Sequence, residues 1–427
     1  MNAAIIFIIL ATLMLTGMPV SISLGLTVLT FLFGFTDVPL ESVALKLFTG
    51  IEKFEIMAIP FFILAGNFLT HGGVARRMIN FATAMVGHWY GGLGLGGVLA
   101  CALFAAVSGS SPATVVAIGS ILLPAMVKAG FPNRFGAGVI TTSGALGILI
   151  PPSIVMVMYA VATNTSVGAL FMAGVVPGLI LALVLGGVTY WRARKYNYPR
   201  LPKASWGERW LAFRKSAWGL FLIIVVMGGI YAGIFTPTEA AAMSAVYAFV
   251  VAVFIYKDLT LKDVPRVLLS SANMSAMLLY IITNAVLFSF IMTNENIPQA
   301  LADWMLGNGL GVIAFLLAVN VILLLAGNFM EPSSIMLIFA PILFPVAMKL
   351  GIDPIHFGII MVVNMEVGMC HPPVGLNLYV ASGITKMGIT ELTVAVWPWL
   401  LAMLGFLVAV TYIPELSLWF PRMLGML

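Results

Sequence analysis

Long apolar runs, broken at a few points rich in glycine, proline and hydroxyl groups, set the pattern of this chain. Leu170 to Trp191 and Trp218 to Ile234 are two such runs. Apolar stretches of this length predict helices of about 20 residues that cross a bilayer. A transmembrane barrel would instead alternate apolar and polar residues over short strands. The pattern therefore predicts an all-α polytopic membrane protein, whose backbone groups are satisfied within each segment.

One interrupted segment occurs twice. The first copy begins at Gly109 as GSSPATVVAIGSILLPAM, and the second begins at Phe329 as FMEPSSIMLIFAPILFPVAM. Pro112 answers Pro332, Gly130 answers Gly351, Gly147 answers Gly368, and Pro151-Pro152 answers Pro372-Pro373. Paired breaks in the two halves of a membrane protein point to a transporter's substrate site.

Composition narrows the class. The chain is 62% hydrophobic and 8% charged, with mean hydropathy +1.11, whereas a soluble domain carries about 25% charged residues. The net charge of +5 needs no nucleic acid to explain it, because basic residues gather in cytoplasmic loops. Arg192, Arg194, Lys195, Arg200, Lys203, Arg209, Arg214 and Lys215 crowd one loop with only Glu208 opposed. That loop is expected to be cytoplasmic and to link the two halves. Built outward from it, the charges put the two copies in opposite orientations, giving inverted-topology repeats. About ten crossings and two re-entrant hairpins follow, with both termini outside. Ile5 to Phe35 is too long for one span, and Gly17-Met18-Pro19 divides it if it is two. No Lys or Arg precedes Lys46, so the first apolar stretch lacks a signal peptide's basic start and is expected to be retained. Segments 40–56 and 257–273 mix charged and apolar residues and read as interfacial amphipathic helices.

Leu93 to Val107 and Ala113 to Val127 are each about 22 Å of helix at about 1.5 Å per residue. That is short of a hydrocarbon core of about 30 Å. Between them lies Ser108-Gly109-Ser110-Ser111-Pro112, and the second hairpin has Asn328-Phe329-Met330-Glu331-Pro332 in the same place. Unpaired backbone at membrane depth is tolerated only against protein or a wet cavity. The Pro-Pro pairs make the following segments broken helices, since proline removes a donor and disfavours helix in the residue before it. The carbonyl end of such a break suits a cation and the N–H end suits a carboxylate. Gly144 to Ile150 would face the first tip, with hydroxyls of Ser108, Ser110, Ser111 and Thr114 as neutral ligands. Gly368, Met369 and the following turn would face Asn328 to Glu331. Two sodium sites built mainly from backbone oxygen are expected, with a carboxylate substrate between the tips.

Some features stay open on sequence. Glu331 reads as a group beside the second ion, as a proton carrier, or as a solvated tip residue. Glu366 and His371 read as a structural pair, with a proton relay as the other reading. A membrane enzyme could use only Glu366, Cys370 and His371, all in one repeat, so no catalytic residue is assigned. A channel fits less well than alternating access around a midplane break. Cys101 and Cys370 make no disulfide framework, and His71, His88, His356 and His371 have no metal spacing. Gly92 to Gly97 matches GxGxxG, but no strand precedes it. No Walker motif is present.

The segments SGSSPATVVAIGSILLPAM, GILIPPSIVMVMYA, MEPSSIMLIFAPILFPVA and NMEVGMCHPPVGLNLYVASGI resemble the large membrane subunit of TRAP (tripartite ATP-independent periplasmic) transporters. The resemblance spans essentially the whole chain and is nearest the C4-dicarboxylate branch, with the sialic acid branch as the alternative. It implies a fold like the ion-transporter superfamily, working as an elevator with a scaffold and a transport domain in the bacterial inner membrane. It implies sodium as coupling ion, no organic cofactor, a small four-helix membrane subunit and a periplasmic substrate-binding protein. Carried over by position, Ser108, Ser111, Gly144, Gly147 and Pro152 would line the first sodium site. Asn328, Glu331, Gly368 and Met369 would lie at the second, and Ser110, Pro112, Thr114 and Pro332 would face substrate. Many relatives carry Asp where this chain has Glu331, and threonine near Met369. The implied divisions are N-terminal scaffold helices 1–39, first repeat 40–191, basic linker 192–216, scaffold helices 217–256, second repeat 257–413 and tail 414–427.

Overall fold

The computed structural model describes residues 2–36, 38–328, 330–373 and 375–427, and the described residues form helices and connecting turns with no strand. Helices α1 (Asn2–Leu15) and α2 (Val20–Phe35) are separated at Gly17, which has φ +82°. Pro19 then starts α2, so the 5–35 stretch is two helices. A short arm, α3 (Leu40–Thr49), precedes α4 (Ala58–His71), which is entered through a tight 3-10 turn, Phe54–Met57. Then come α5 (Val74–Val86) and the first hairpin, α6 (Gly92–Ser108) and α7 (Ser111–Lys128). The first broken helix is α8 (Asn133–Ser143), a 3-10 stretch Gly144–Ile148, and α9 (Ile154–Thr163), followed by the long α10 (Val167–Lys195).

After the basic connector, α11 (Trp206–Tyr231) and α12 (Pro237–Val250, extended by a π turn Val251–Ile255) begin at capping boxes, Ser205 with Glu208 and Thr236 with Glu239. Each box satisfies two otherwise unpaired N–H groups. The second half continues with α13 (Val264–Asn294), α14 (Ile297–Gly307) and the second hairpin, α15 (Val312–Gly327) and α16 (Pro332–Lys349). The second broken helix is α17 (Pro354–Gly368) and α18 (Leu376–Thr385), then α19 (Ile389–Tyr412) and α20 (Glu415–Met423).

Two expectations change. The second arm, 257–273, is no separate helix, because from Val264 it is the first part of the 31-residue α13. The first arm is released by Gly50 and the extended Lys53, whereas nothing between Arg266 and Asn294 is glycine or proline. The second arms of the hairpins are also longer than expected: among the described residues eight helices are long and apolar enough to cross a membrane, and two of these are α7 and α16. The sequence count of about ten included broken and shorter helices, such as α8–α9 and α1, that no single long helix represents.

Packing binds the halves crosswise. The second arm of each hairpin lies on the second half of the other repeat's broken helix, α7 on α18 and α16 on α9. Small residues permit close approach where lipid offers no hydrophobic driving force. A Cβ at Gly138 of α8 would lie 2.6 Å from the Ala395 carbonyl and from the Trp399 ring of α19. Trp399 itself is fully buried and donates through Nε1 to Thr189 Oγ1 (2.9 Å). Asn364 Nδ2 donates to Asn320 Oδ1 (2.8 Å), and Asn320 Nδ2 donates to Thr411 Oγ1 (2.9 Å), tying α17, α15 and α19 together. Gly138→Val is expected to cost about 1–3 kcal/mol through overpacking, read as a lower thermal midpoint of the detergent-solubilised protein. Gly187→Ala, whose new Cβ meets nothing within 4 Å, is the matched control and should leave the midpoint in place.

Candidate functional site

The first hairpin turns over two residues. Gly109 takes φ +58° and Ser110 is extended, so α6 ends and α7 begins with Pro112 in its first turn. That proline costs no hydrogen bond there. Thr114 Oγ1 donates to the Ser110 carbonyl (2.8 Å), and Ser108 Oγ lies 2.9 Å from Thr114 Oγ1. The tip is thus a knot of hydroxyl and carbonyl oxygen, with Ser108, Ser111 and Thr114 buried and Ser110 and Pro112 partly exposed.

The broken helix meets this tip backbone to backbone. A Cβ on Gly147 would stand 2.6 Å from the Ser110 carbonyl oxygen and 2.8 Å from Ser111 Cα. One on Gly144 would stand 3.2 Å from the Val115 amide nitrogen, and one on Gly109 would stand 3.0 Å from the Pro152 carbonyl oxygen. Only residues without a side chain allow this contact. Ser108, Ser110, Ser111, Gly144, Gly147 and Pro152 therefore gather at one place. On its other flank the tip meets α4, where a Gly66 Cβ would be 3.2 Å from the Ser108 carbonyl oxygen.

The second half repeats the contact with different chemistry. Gly327 and Gly368 pack face to face, a Cβ on the first lying 2.9 Å from Cα of the second. Asn328 Oδ1 and His371 Nδ1 are 3.1 Å apart. With its amide turned over, Asn328 donates to the His371 and Pro372 carbonyls at 3.1 and 3.0 Å. The turned orientation satisfies more groups, and amide orientation is set by such partners. Glu331 starts α16 and accepts from Ser334 Oγ (3.2 Å), while Pro332 is buried. The Met369 carbonyl accepts the Asn377 N–H (3.0 Å). Phe329 and Val374 lie outside the described residues. Both Pro-Pro bonds, 151–152 and 372–373, are cis.

Glu366 and His371 do not pair. The Glu366 carboxylate is fully buried, and neither oxygen has a hydrogen-bond partner, while His371 faces Asn328. The helix ends at Gly368, so the two side chains leave the break on different courses. The Glu–His dyad that an enzyme reading requires is not assembled. Among the described residues no three His, Cys, Asp or Glu side chains gather as a metal site.

One residue that sequence reasoning passed over joins the halves. Asn377, buried on α18, donates through Nδ2 to Ser111 Oγ (2.7 Å) and to the Thr141 carbonyl (3.3 Å). Cys370 Sγ donates to the same carbonyl (3.4 Å). The tip of one repeat is thereby held by the break of the other. An amide inside an apolar run just after a helix break was the available signal.

Two tip-and-break contacts among long apolar helices define the chain as a polytopic all-helical membrane protein. The family model described as "Tripartite ATP-independent periplasmic transporter, DctM component" matches residues 7–416. The chain is 77% identical to the C4-dicarboxylate TRAP transporter large permease protein DctM of Rhodobacter capsulatus, over all of both chains. It is 56% identical to the protein of that name in Pseudomonas aeruginosa, over 95% of each. It is 36% identical to the sialic acid TRAP transporter large permease protein SiaM of Vibrio cholerae, over 96% of each. The crystal structure of the Alcanivorax borkumensis YdaH transporter, described as having an unusual topology, matches with TM-score 0.62 at 16% identity, covering 87% of this chain and 88% of that one. It shares the fold. The chain belongs to the DctM family of TRAP transporter large permeases, which are multi-pass inner-membrane transport proteins.

Asn377→Leu leaves Ser111 Oγ and the Thr141 carbonyl without their amide donor. A buried polar group so orphaned costs about 1–3 kcal/mol. The expected outcome is a lower thermal midpoint together with uptake reduced about tenfold or more in proteoliposomes. Unchanged uptake would show that the bridge between the repeats is dispensable.

Proposed function

We propose that this permease takes up a C4-dicarboxylate by alternating access, driven by sodium, from a periplasmic binding protein into the cytoplasm. The observation that carries the proposal is the backbone contact of the first tip with the first break, at Gly147 and Ser110, in a chain closely similar to C4-dicarboxylate TRAP permeases. The identity to the sialic acid permease is lower, which favours the dicarboxylate.

In this reading Ser108, Ser111, Gly144, Gly147 and Pro152 hold one sodium ion. Sodium is small and hard and takes neutral oxygen, which hydroxyls and main-chain carbonyls supply. Asn328, Glu331, Gly368 and Met369 hold a second. The Met369 carbonyl, though it accepts Asn377 N–H, keeps a second lone pair for an ion. The substrate's carboxylates lie at Ser110, Pro112, Thr114 and Pro332, where the N-terminal ends of α7 and α16 present positive dipole. Ion binding knits each tip to its break and so reports to the substrate position beside it. The hairpins and broken helices move as the transport unit of an elevator against the remaining helices. A small four-helix membrane subunit packs on those helices, and the binding protein delivers cargo to the outer face.

Uptake into proteoliposomes holding both membrane subunits, with the binding protein supplied, should require an inward sodium gradient. Full-rate uptake with potassium replacing sodium would overturn the coupling. Ser108→Ala removes one neutral ligand, worth about 1.5 kcal/mol as a bond to a charged group. It should raise the half-saturating sodium concentration about tenfold with binding-protein affinity for substrate unchanged.

A further inference from the structure

An apolar groove of about 1110 Å3 lies between α6, α10 and α11, with α20 closing one side. Pocket volumes for small ligands run about 300–1,000 Å3, so this groove is large enough for a bulky apolar occupant. Its walls are nearly all aliphatic, from Leu95 and Leu99 on α6 to Leu183 on α10 and Met227 on α11. Partway along it touches Ile150 and Pro151, at the first break, and it continues to Tyr231, Phe420 and Leu424. Its outer end is marked by Trp89 and Tyr190, whose rings pack edge to face at 6.4 Å. Tryptophan and tyrosine at such a position mark the membrane–water boundary.

The basic connector lies at that outer end. Leu201 N–H donates to the Gly87 carbonyl (3.0 Å), pinning the connector to the loop between α5 and α6. The Arg200 guanidinium sits 4.2 Å from the Tyr90 ring centre, and Tyr90 packs on Tyr190. Partial burial, then the positive fields of Arg209 and Lys203, hold the His88 imidazole below its ordinary pKa. His88 Nδ1 and the Arg209 Nε and Nη2 atoms are shielded from water with no hydrogen-bond partner. None of the eight basic residues of the connector region forms an ion pair among the described residues. Glu208, the one acid there, is occupied at the helix cap, accepting Ser205 N–H at 2.6 Å. Basic side chains without an ion-pair partner therefore stand next to Val86 and Trp89, which line the groove.

We propose that this groove binds one anionic phospholipid of the cytoplasmic leaflet, its acyl chains along α6 and α10 toward Pro151 and its phosphate at His88, Lys203 and Arg209. The chemistry on both sides is complementary. The acyl chains fill surface that water would wet, and the phosphodiester supplies acceptors to the unpartnered donors. Basic pockets between helices on the cytoplasmic side are the sequence-readable form of such recognition.

The test is native mass spectrometry of the purified permease with its small subunit, delipidated and titrated with phosphatidylglycerol or phosphatidylcholine. Wild type should retain phosphatidylglycerol about tenfold better than phosphatidylcholine. Lys203→Gln with Arg209→Gln should weaken phosphatidylglycerol retention roughly ten- to thirtyfold, at about 1 kcal/mol per charge, and leave phosphatidylcholine unchanged. Gly186→Leu fills the groove, its first carbon meeting only Leu95 Cδ2 at 3.9 Å, and should weaken both lipids. Equal retention of the two lipids by wild type overturns the proposal, as does full phosphatidylglycerol retention by the double variant. Phosphatidylglycerol retention unaffected by Gly186→Leu would mean headgroup binding without the groove and overturns it too. A cross-link placing the small subunit in the groove does the same.

Discussion

Main-chain groups that leave the helix away from water must find other partners, and that requirement shapes both halves of this protein. At membrane depth each orphaned N–H or C=O costs several kcal/mol. The chain meets the cost by bringing two irregular stretches into contact, the tip of a hairpin and the break of a helix. The contact is possible only because the facing residues lack side chains. At Gly147 a methyl group would stand 2.6 Å from the Ser110 oxygen, well inside van der Waals distance. Gly327 and Gly368 solve the same problem in the second half. As a consequence, the oxygens that the breaks expose are collected in one place, which is what the proposed ion sites use.

The parts of this arrangement that sequence made legible are those written locally. Pro112, Pro332 and the two Pro-Pro pairs mark helix starts and breaks because proline acts on its own residue and its neighbour. The arms of the first hairpin, counted as 15 residues each, are 17 and 18 residues in the structure, because each helix runs on to its cap. Gly17 divides α1 from α2 as a turn glycine should. What escaped depends on distance along the chain. Asn377 binds Ser111 across 266 residues, and nothing near either residue names the other. The second arm was misread because its charge pattern resembles the first, while the break that frees the first arm, at Gly50 to Lys53, has no counterpart after Arg266. Glu366 and His371 looked like partners by spacing, but α17 ends between them, and spacing predicts contact only along a continuous helix.

The crossed packing has a mechanical meaning. Because α7 rests on α18 and α16 rests on α9, neither hairpin can shift without carrying part of the other repeat. Asn377 adds a polar fastener at the same junction. A buried amide that satisfies two acceptors specifies one register of packing, whereas aliphatic contacts alone tolerate sliding. The two hairpins and two broken helices are thus bound to one another across the two halves.

An apolar groove lies along one edge of the first hairpin. α6 belongs to the first hairpin, while α10 and α11 lie outside the hairpins and broken helices, and the apolar groove opens between them. In a soluble protein a void of that size would be a defect. In a bilayer it is continuous with a solvent made of chains, which can fill a seam without bonding to it. A tightly interdigitated border would resist sliding, because close-packed side chains have discrete arrangements. A border partly made of lipid has no such arrangements to break. The same groove touches Pro151, beside the contact that gathers the first tip, so whatever fills the seam there also lies against the back of the proposed ion site. The loosely packed edge and the tightly packed centre are therefore two sides of one requirement. In the proposed elevator, the centre holds its main-chain oxygens still while the edge lets the assembly move.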